Sequence, residues 1–293
     1  MPQLVKSAKG PAQAHSAGIA DTVQIMLARL QTGGADVARD YAARLDNWRG
    51  PIRVAPETVR TAAAQVPRPL KDAIAYAHDN IRRFAEAQRA SVTAFETELR
   101  PGLIAGQRLI PVSCAGCYVP GGRYAHIASA LMTITTARAA GVRHVIACAP
   151  PRGAQGIPPE VLYTMHLAGA ERILCIGGVQ GIAALAHGLF DTPPADILVG
   201  PGNAYVAEAK RQLFGPVGID MIAGPTDSLI LSDASADPET VALDLAGQAE
   251  HGENSPVWLV TDHAPLAHAV AARMPETCAR IGGENGATAR AAW

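Results

Sequence analysis

The chain has 293 residues, 48% of them hydrophobic and 17% charged, with a formal net charge of -1. That balance provides no basic surface for nucleic acid or an acidic membrane, and it favours small-molecule chemistry. A chain of this length buries roughly 75% of its unfolded surface, enough for one large or two ordinary domains.

The opening stretch MPQLVKSAKGPAQAHSAG has no apolar run of signal-sequence length. No later stretch approaches the roughly 18 uninterrupted apolar residues of a membrane span. A cytoplasmic protein is the expectation. Residues 19–100 read as mostly helical: IADTVQIMLARLQTGG is amphipathic with a glycine stop, and PRPLKDAIAYAHDNIRRFAEAQRA repeats apolar residues at helical spacing. Such an arm buries little by itself, which suits dimer contacts.

From about residue 108 the texture changes to short β-branched runs alternating with Ala-rich helices. Strands start near 143, 172 and 196 with one helix between each pair, the pattern of βαβ units in a parallel sheet. A second series opens at DSLILSD (227–233), continues through a helix over 238–250 and the strand PVWLVT, and ends in APLAHAVAARMPETCARI. The chain stops at GENGATARAAW, before that second layer is finished. The expected fold class is α/β, with two related Rossmann-like parallel-sheet units and an N-terminal helical arm. Residues 1–114 form the arm and the start of a first α/β domain, 115–225 an inserted second domain, and 226–293 the incomplete continuation of the first.

Strand ILCI runs into Gly177-Gly178-Val179-Gln180-Gly181, and strand DILV into Gly200-Pro201-Gly202-Asn203. Glycines at a strand-to-helix turn let backbone N–H groups approach an anion. Two such loops at the carboxyl ends of neighbouring strands would line one crevice, the nucleotide site of open α/β sheets. Neither is a GxGxxG fingerprint, and a tight turn is the default reading of each alone.

In CYVPGGRYAHIAS, Arg123, Tyr124 and His126 crowd a helix entrance where an arginine can clamp an oxyanion. Gln248 and His251, in QAEHGENS, share one face at the end of the 238–250 helix. An amide and an imidazole facing a core need hydrogen bonds or a metal, and both are possible zinc ligands. Thr226, Asp227 and Ser228 follow a Gly-Pro turn before a strand, where capping is the default. Cys114-Ala-Gly-Cys117 is a formal CxxC without a second pair, and the five cysteines read as reduced, buried thiols.

Taken in order, YVPGG (118–122), GGVQGIAALAHG (177–188), GPGNAYVAEAKR (200–211), GIDMIAGPTDSLIL (218–231) and DPETVALDLAGQAEHGENS (237–255) resemble the histidinol dehydrogenase family. The resemblance covers residues 20–275. It implies a homodimeric, zinc- and NAD-dependent enzyme that takes a primary alcohol through an aldehyde to a carboxylate, passing two hydrides to NAD. By residue, it implies that Tyr118, Gln180 and Asn203 contact NAD, Gln248 and His251 bind zinc, and Thr226 contacts substrate.

The Glu-His base pair and two further zinc ligands of that family are expected beyond residue 293, so no catalytic residue is assigned within the chain. The 293-residue polypeptide alone is expected to bind zinc weakly and to turn over little substrate. Arg123 and His126 depart from the histidinol enzymes and suit an anionic group on the substrate. This resembles the family branch that oxidises sulfonated diols such as sulfopropanediol. The alternatives are oxidation of histidinol to histidine and, from a different class, a non-catalytic nucleotide-binding module.

Overall fold

The computed structural model describes residues 4–7, 18–122, 125–222, 227–252 and 255–293. The chain divides into two compact units, Ala17–Gly224 and a smaller one of Pro225–Trp293 with Met1–Ser16. Among the described residues, no helix is long and apolar enough to cross a membrane.

The larger unit begins with three helices, α1 (Ile19–Leu45), α2 (Pro56–Gln65) and α3 (Arg68–Ala90). The glycine stop expected near residue 34 is instead a kink: Gly34 leaves helical geometry at φ 55°, and α1 continues to Leu45. A hairpin follows, β1 (Phe95–Arg100) and β2 (Leu103–Gln107), where the sequence reads as helix up to residue 100. Pro101-Gly102 makes the turn, with Gly102 at φ 82°. Both strands are exposed along their whole length, so no in-out alternation marked them.

The apolar runs then form a parallel sheet: β3 (Cys114–Tyr118), β4 (His144–Ala149), β5 (Arg172–Cys175), β6 (Ile197–Val199) and β7 (Gly218–Ile219). Helices α4 (Ile127–Ala139), α5 (Pro159–Ala168), α6 (Gly178–His187) and α7 (Ala204–Leu213) make the crossovers. The strand order is β5-β4-β3-β6-β7, the doubly wound order. Both faces are covered, which is why the strands read as continuous apolar runs.

One core packs α1 and α6 residues such as Leu30, Ile182 and Leu185 against Ile146, Leu174 and Leu198. The other packs Val59 and Ile74 of the arm, with Leu131 and Ile134 of α4 and Met165 of α5, against Val145 and Ile173. Cys114 belongs to the first core and Cys117 to the second, so the CxxC thiols occupy opposite faces of β3.

The smaller unit pairs β8 (Ser228–Ser232) with β9 (Val257–Thr261) in parallel, Ile230 opposite Leu259. Helices α8 (Pro238–Ala249), α9 (Ala264–Ile281) and α10 (Gly283–Ala292) pack with this pair around Leu245, Val270 and Met274.

Candidate functional site

In the larger unit β3 and β6 are neighbours with Cys117 opposite Val199, so Tyr118 and Gly200 emerge together at the carboxyl end of the sheet. The winding direction reverses between these two strands, the position at which open α/β sheets receive ligands. Gly200 takes φ 117°, and a Cβ there would lie 2.1 Å from the Tyr118 carbonyl oxygen. Only glycine permits this approach.

The two glycine loops do not follow neighbouring strands, contrary to the sequence expectation. β5 is an edge strand separated from β6 by β4 and β3. What links its loop to the central strands is α6, which carries the chain back across the sheet. At the start of that helix the Gly178 N–H donates to the Tyr118 phenolic oxygen at 3.1 Å.

Three amides of these loops are already occupied. The Gly177 N–H bonds the Asp46 carboxylate, the Gly178 N–H bonds Tyr118, and the Gly200 N–H donates to Asp220 Oδ2 at 2.8 Å. At all three positions the chain supplies its own acceptor, twice a carboxylate. A phosphate placed there would meet like charge rather than a vacant helix terminus.

Gln180 is 1% exposed, and its Nε2 donates to Asp46 Oδ2 at 2.9 Å. Its Oε1 is buried without a hydrogen-bond partner. Because an ionised carboxylate only accepts, Asp46 fixes which end of the amide faces it. Burial lifts the Asp46 carboxyl above the usual carboxylate value, outweighing the bonds from Gln180 and Gly177 that lower it. Burial likewise pushes the Tyr118 phenol well up, so it remains a neutral hydroxyl and not a base.

Asn203 caps α7: its Oδ1 accepts from the Tyr205 and Val206 N–H groups, each at 3.1 Å. The residue is exposed, so its amide hydrogens are the part a ligand can meet. His126 sits half-buried at the N-cap of α4, while Arg123 and Tyr124 lie outside the described residues. The larger unit therefore brings Tyr118 and the Gly178–Gln180 turn together, with Asn203 leaving the strand beside β3.

In the smaller unit Asp237 caps α8 by accepting from the Thr240 N–H at 2.9 Å, and Pro238 occupies the first turn. Val241 and Leu245 are buried, and Gln248 follows half-buried in the last turn. His251 is exposed just past the helix, its N–H donating to the Gln248 carbonyl at 3.2 Å. Thr226 lies outside the described residues. Among the described residues no group of three or more His, Cys, Asp or Glu is arranged to hold a metal. Gln248 and His251 are donors of a type zinc accepts and form a partial set of two.

Sequence reasoning missed Asp46, Lys210 and Asp220. Asp46 reads as a polar residue at a helix end, and Lys210 as one more charge on an amphipathic helix. Lys210 is nevertheless fully buried, paired with Asp220 and bonded to the Gly200 carbonyl.

Residues 10–293 match the family model described as histidinol dehydrogenase. A histidinol dehydrogenase homolog of Ruegeria pomeroyi is 66% identical over 290 residues, covering 99% of this chain and 67% of that protein. The sulfopropanediol 3-dehydrogenase of the same organism is 54% identical over 291 residues, with the same two coverages of 99% and 67%. The crystal structure of histidinol dehydrogenase from Elizabethkingia anophelis superimposes with a TM-score of 0.88 at 31% identity, covering 96% of this chain and 65% of that one. The chain spans about two thirds of the length of these relatives.

Proposed function

Because this chain belongs to the histidinol dehydrogenase family, we propose that it carries the dinucleotide-binding unit and part of the zinc site of an NAD-dependent dehydrogenase. The proposed substrate is a sulfonated diol such as sulfopropanediol, oxidised at its primary alcohol through an aldehyde to a carboxylate. The observation that supports the dinucleotide reading is the meeting of Tyr118 and the Gly200–Asn203 loop at the reversal point of the sheet. Identity of 54% to a sulfopropanediol 3-dehydrogenase supports the substrate class.

The residues present suit the sugar and amide groups of NAD better than its phosphates. Asn203 offers amide hydrogens to a ligand oxygen, and its orientation is fixed because Oδ1 is committed to the helix cap. Tyr118 contributes a neutral hydroxyl held by the Gly178 amide. Gln180 is tied to Asp46, which sets the entrance of α6. Gln248 and His251 would hold zinc through an amide oxygen and an imidazole nitrogen. When bound, zinc polarises the alcohol oxygen so that its proton leaves more readily, and NAD accepts hydride from the carbon. Arg123 and His126 are proposed to orient the sulfonate, since a guanidinium matches the geometry of such an oxyanion.

Histidinol is the second reading, favoured by the likeness to the Elizabethkingia enzyme. Steady-state NAD reduction by the full-length enzyme with sulfopropanediol and with histidinol, as wild type and as Arg123→Ala, separates the two. The expected result is preference for the sulfonated diol and loss of that preference in the variant. A strong preference for histidinol, unaffected by Arg123→Ala, overturns the sulfonate reading.

A further inference from the structure

Lys210, on α7, is a charged side chain with 1% exposure in the core of the larger unit. Its Nζ donates to the Gly200 carbonyl at 2.9 Å and pairs with Asp220 Oδ1. Asp220, the residue directly after β7, closes the arrangement. Its Oδ2 accepts from the Gly200 N–H at 2.8 Å, and its Oδ1 accepts from the Met221 N–H at 2.6 Å. Both polar groups of residue 200 are thus gripped by one pair of opposite charges. Residue 200 cannot be anchored by a side chain of its own, because a Cβ would strike the Tyr118 carbonyl.

An ion pair with a buried lysine is a weak source of stability, since desolvation of the ammonium offsets much of its attraction to the partly exposed Asp220 carboxylate. Apolar side chains of similar volume fill such space as well or better. What they cannot do is fix the two successive peptide groups that meet at Gly200, one through its N–H and the other through its C=O. We propose that the Lys210–Asp220 pair positions the Gly200–Asn203 loop for the dinucleotide, fixing the peptide from which Asn203 is presented. This rests on the dinucleotide reading of the loop. The pair acts through Gly200 and Asn203, and neither charge is assigned a contact with the ligand.

The test compares Lys210→Met, Asp220→Leu and the double variant in three measurements: thermal midpoint, amide hydrogen exchange at Gly200 and Met221, and NAD affinity by equilibrium dialysis. Asp220→Leu leaves the Lys210 ammonium buried and unpaired, and its midpoint is expected to fall; Lys210→Met leaves Asp220, which solvent reaches, and the fall is expected to be smaller. The double variant is expected to recover the midpoint, while Gly200 exchange stays fast and NAD affinity falls about tenfold or more.

Asp220→Asn provides a variant closer in shape if the double variant does not fold. It retains one acceptor and should exchange Gly200 at an intermediate rate, with intermediate NAD affinity. Wild-type affinity in a folded double variant, or in an Asp220→Asn chain with fast Gly200 exchange, overturns the positioning role alone. Absence of NAD binding by the wild type overturns the dinucleotide reading and this inference with it.

Discussion

Gln180 reaches out of the first turn of α6 and donates to the carboxylate of Asp46, 2.9 Å away at the C-cap of α1. The carboxylate also takes the Gly177 N–H, so an acidic residue from the helical arm occupies the N-terminal end of α6. Its position beyond the last turn of α1 is electrostatically unfavourable, and its position at the start of α6 is favourable.

Burial raises the Asp46 carboxyl above its ordinary value of 3.8. A raised folded value means that the acid binds its proton more tightly when folded. The associated stability is fully present below the unfolded value and is lost as pH rises through the folded one. Asp46→Asn, which keeps an acceptor for Gln180, should remove this dependence. Urea unfolding at pH values from 3 to 7, each an approximate setting around the titration, should show the wild type losing ground to the variant as pH rises. A gap between the two that does not change with pH contradicts the assignment.

Gly200→Ala is expected to destabilise the larger unit strongly. The positive φ alone costs about 1–3 kcal/mol for a residue with a side chain, and the Cβ would sit 2.1 Å from the Tyr118 carbonyl oxygen. Gly247→Ala provides the opposite control, because a Cβ there meets nothing within 4 Å inside α8. It should stabilise by about 0.5–1 kcal/mol. Thermal or urea unfolding of the two variants checks both signs.

All five cysteines are buried. Burial pushes Cys114 up to about 11 and Cys117 and Cys175 to about 12, from an ordinary 9.0. At neutral or mildly alkaline pH these thiols carry almost no thiolate, the reactive form. An Ellman titration of the folded chain should give a slow, unfolding-limited release, and five equivalents in denaturant. Stability tied to these groups is present below 9.0 and declines as pH climbs towards their folded values.

In the full-length enzyme Gln248→Ala and His251→Ala should each lower the zinc retained after dialysis, and His251→Ala the more, because imidazole is the stronger ligand. Metal content by atomic absorption provides the check. Equal, wild-type zinc content in both variants removes these residues from the metal site.

Three strands of the central sheet, β4 to β6, were legible because each reads as an apolar run flanked by glycine or proline, whereas β3 and the two-residue β7 were not anticipated. Strand starts expected near 143, 172 and 196 fall at His144, Arg172 and Ile197. The α8 boundary was legible for a local reason, the Asp237-Pro238 cap. Strand order was not, since nothing within ILCI or DILV states which strand lies beside which. The hairpin was hidden by its exposure, and Asp46 and Lys210 by distance: Asp46 acquires its role from Gln180, 134 positions away. Lys210 is the sharper case, because a buried lysine and a solvated one look alike until Asp220 and the Gly200 carbonyl are placed around it.

The fully exposed β1–β2 hairpin gives a protease an entry point between two packed regions of the larger unit. Trypsin meets the exposed Arg108 at the end of the hairpin, whereas the bond after Arg100 is protected by Pro101. A cut after Arg108 would sever the three leading helices from the sheet covalently but not physically, since α1 to α3 are built into the two cores. The nicked molecule should migrate as two bands under denaturing conditions and as one particle under native ones.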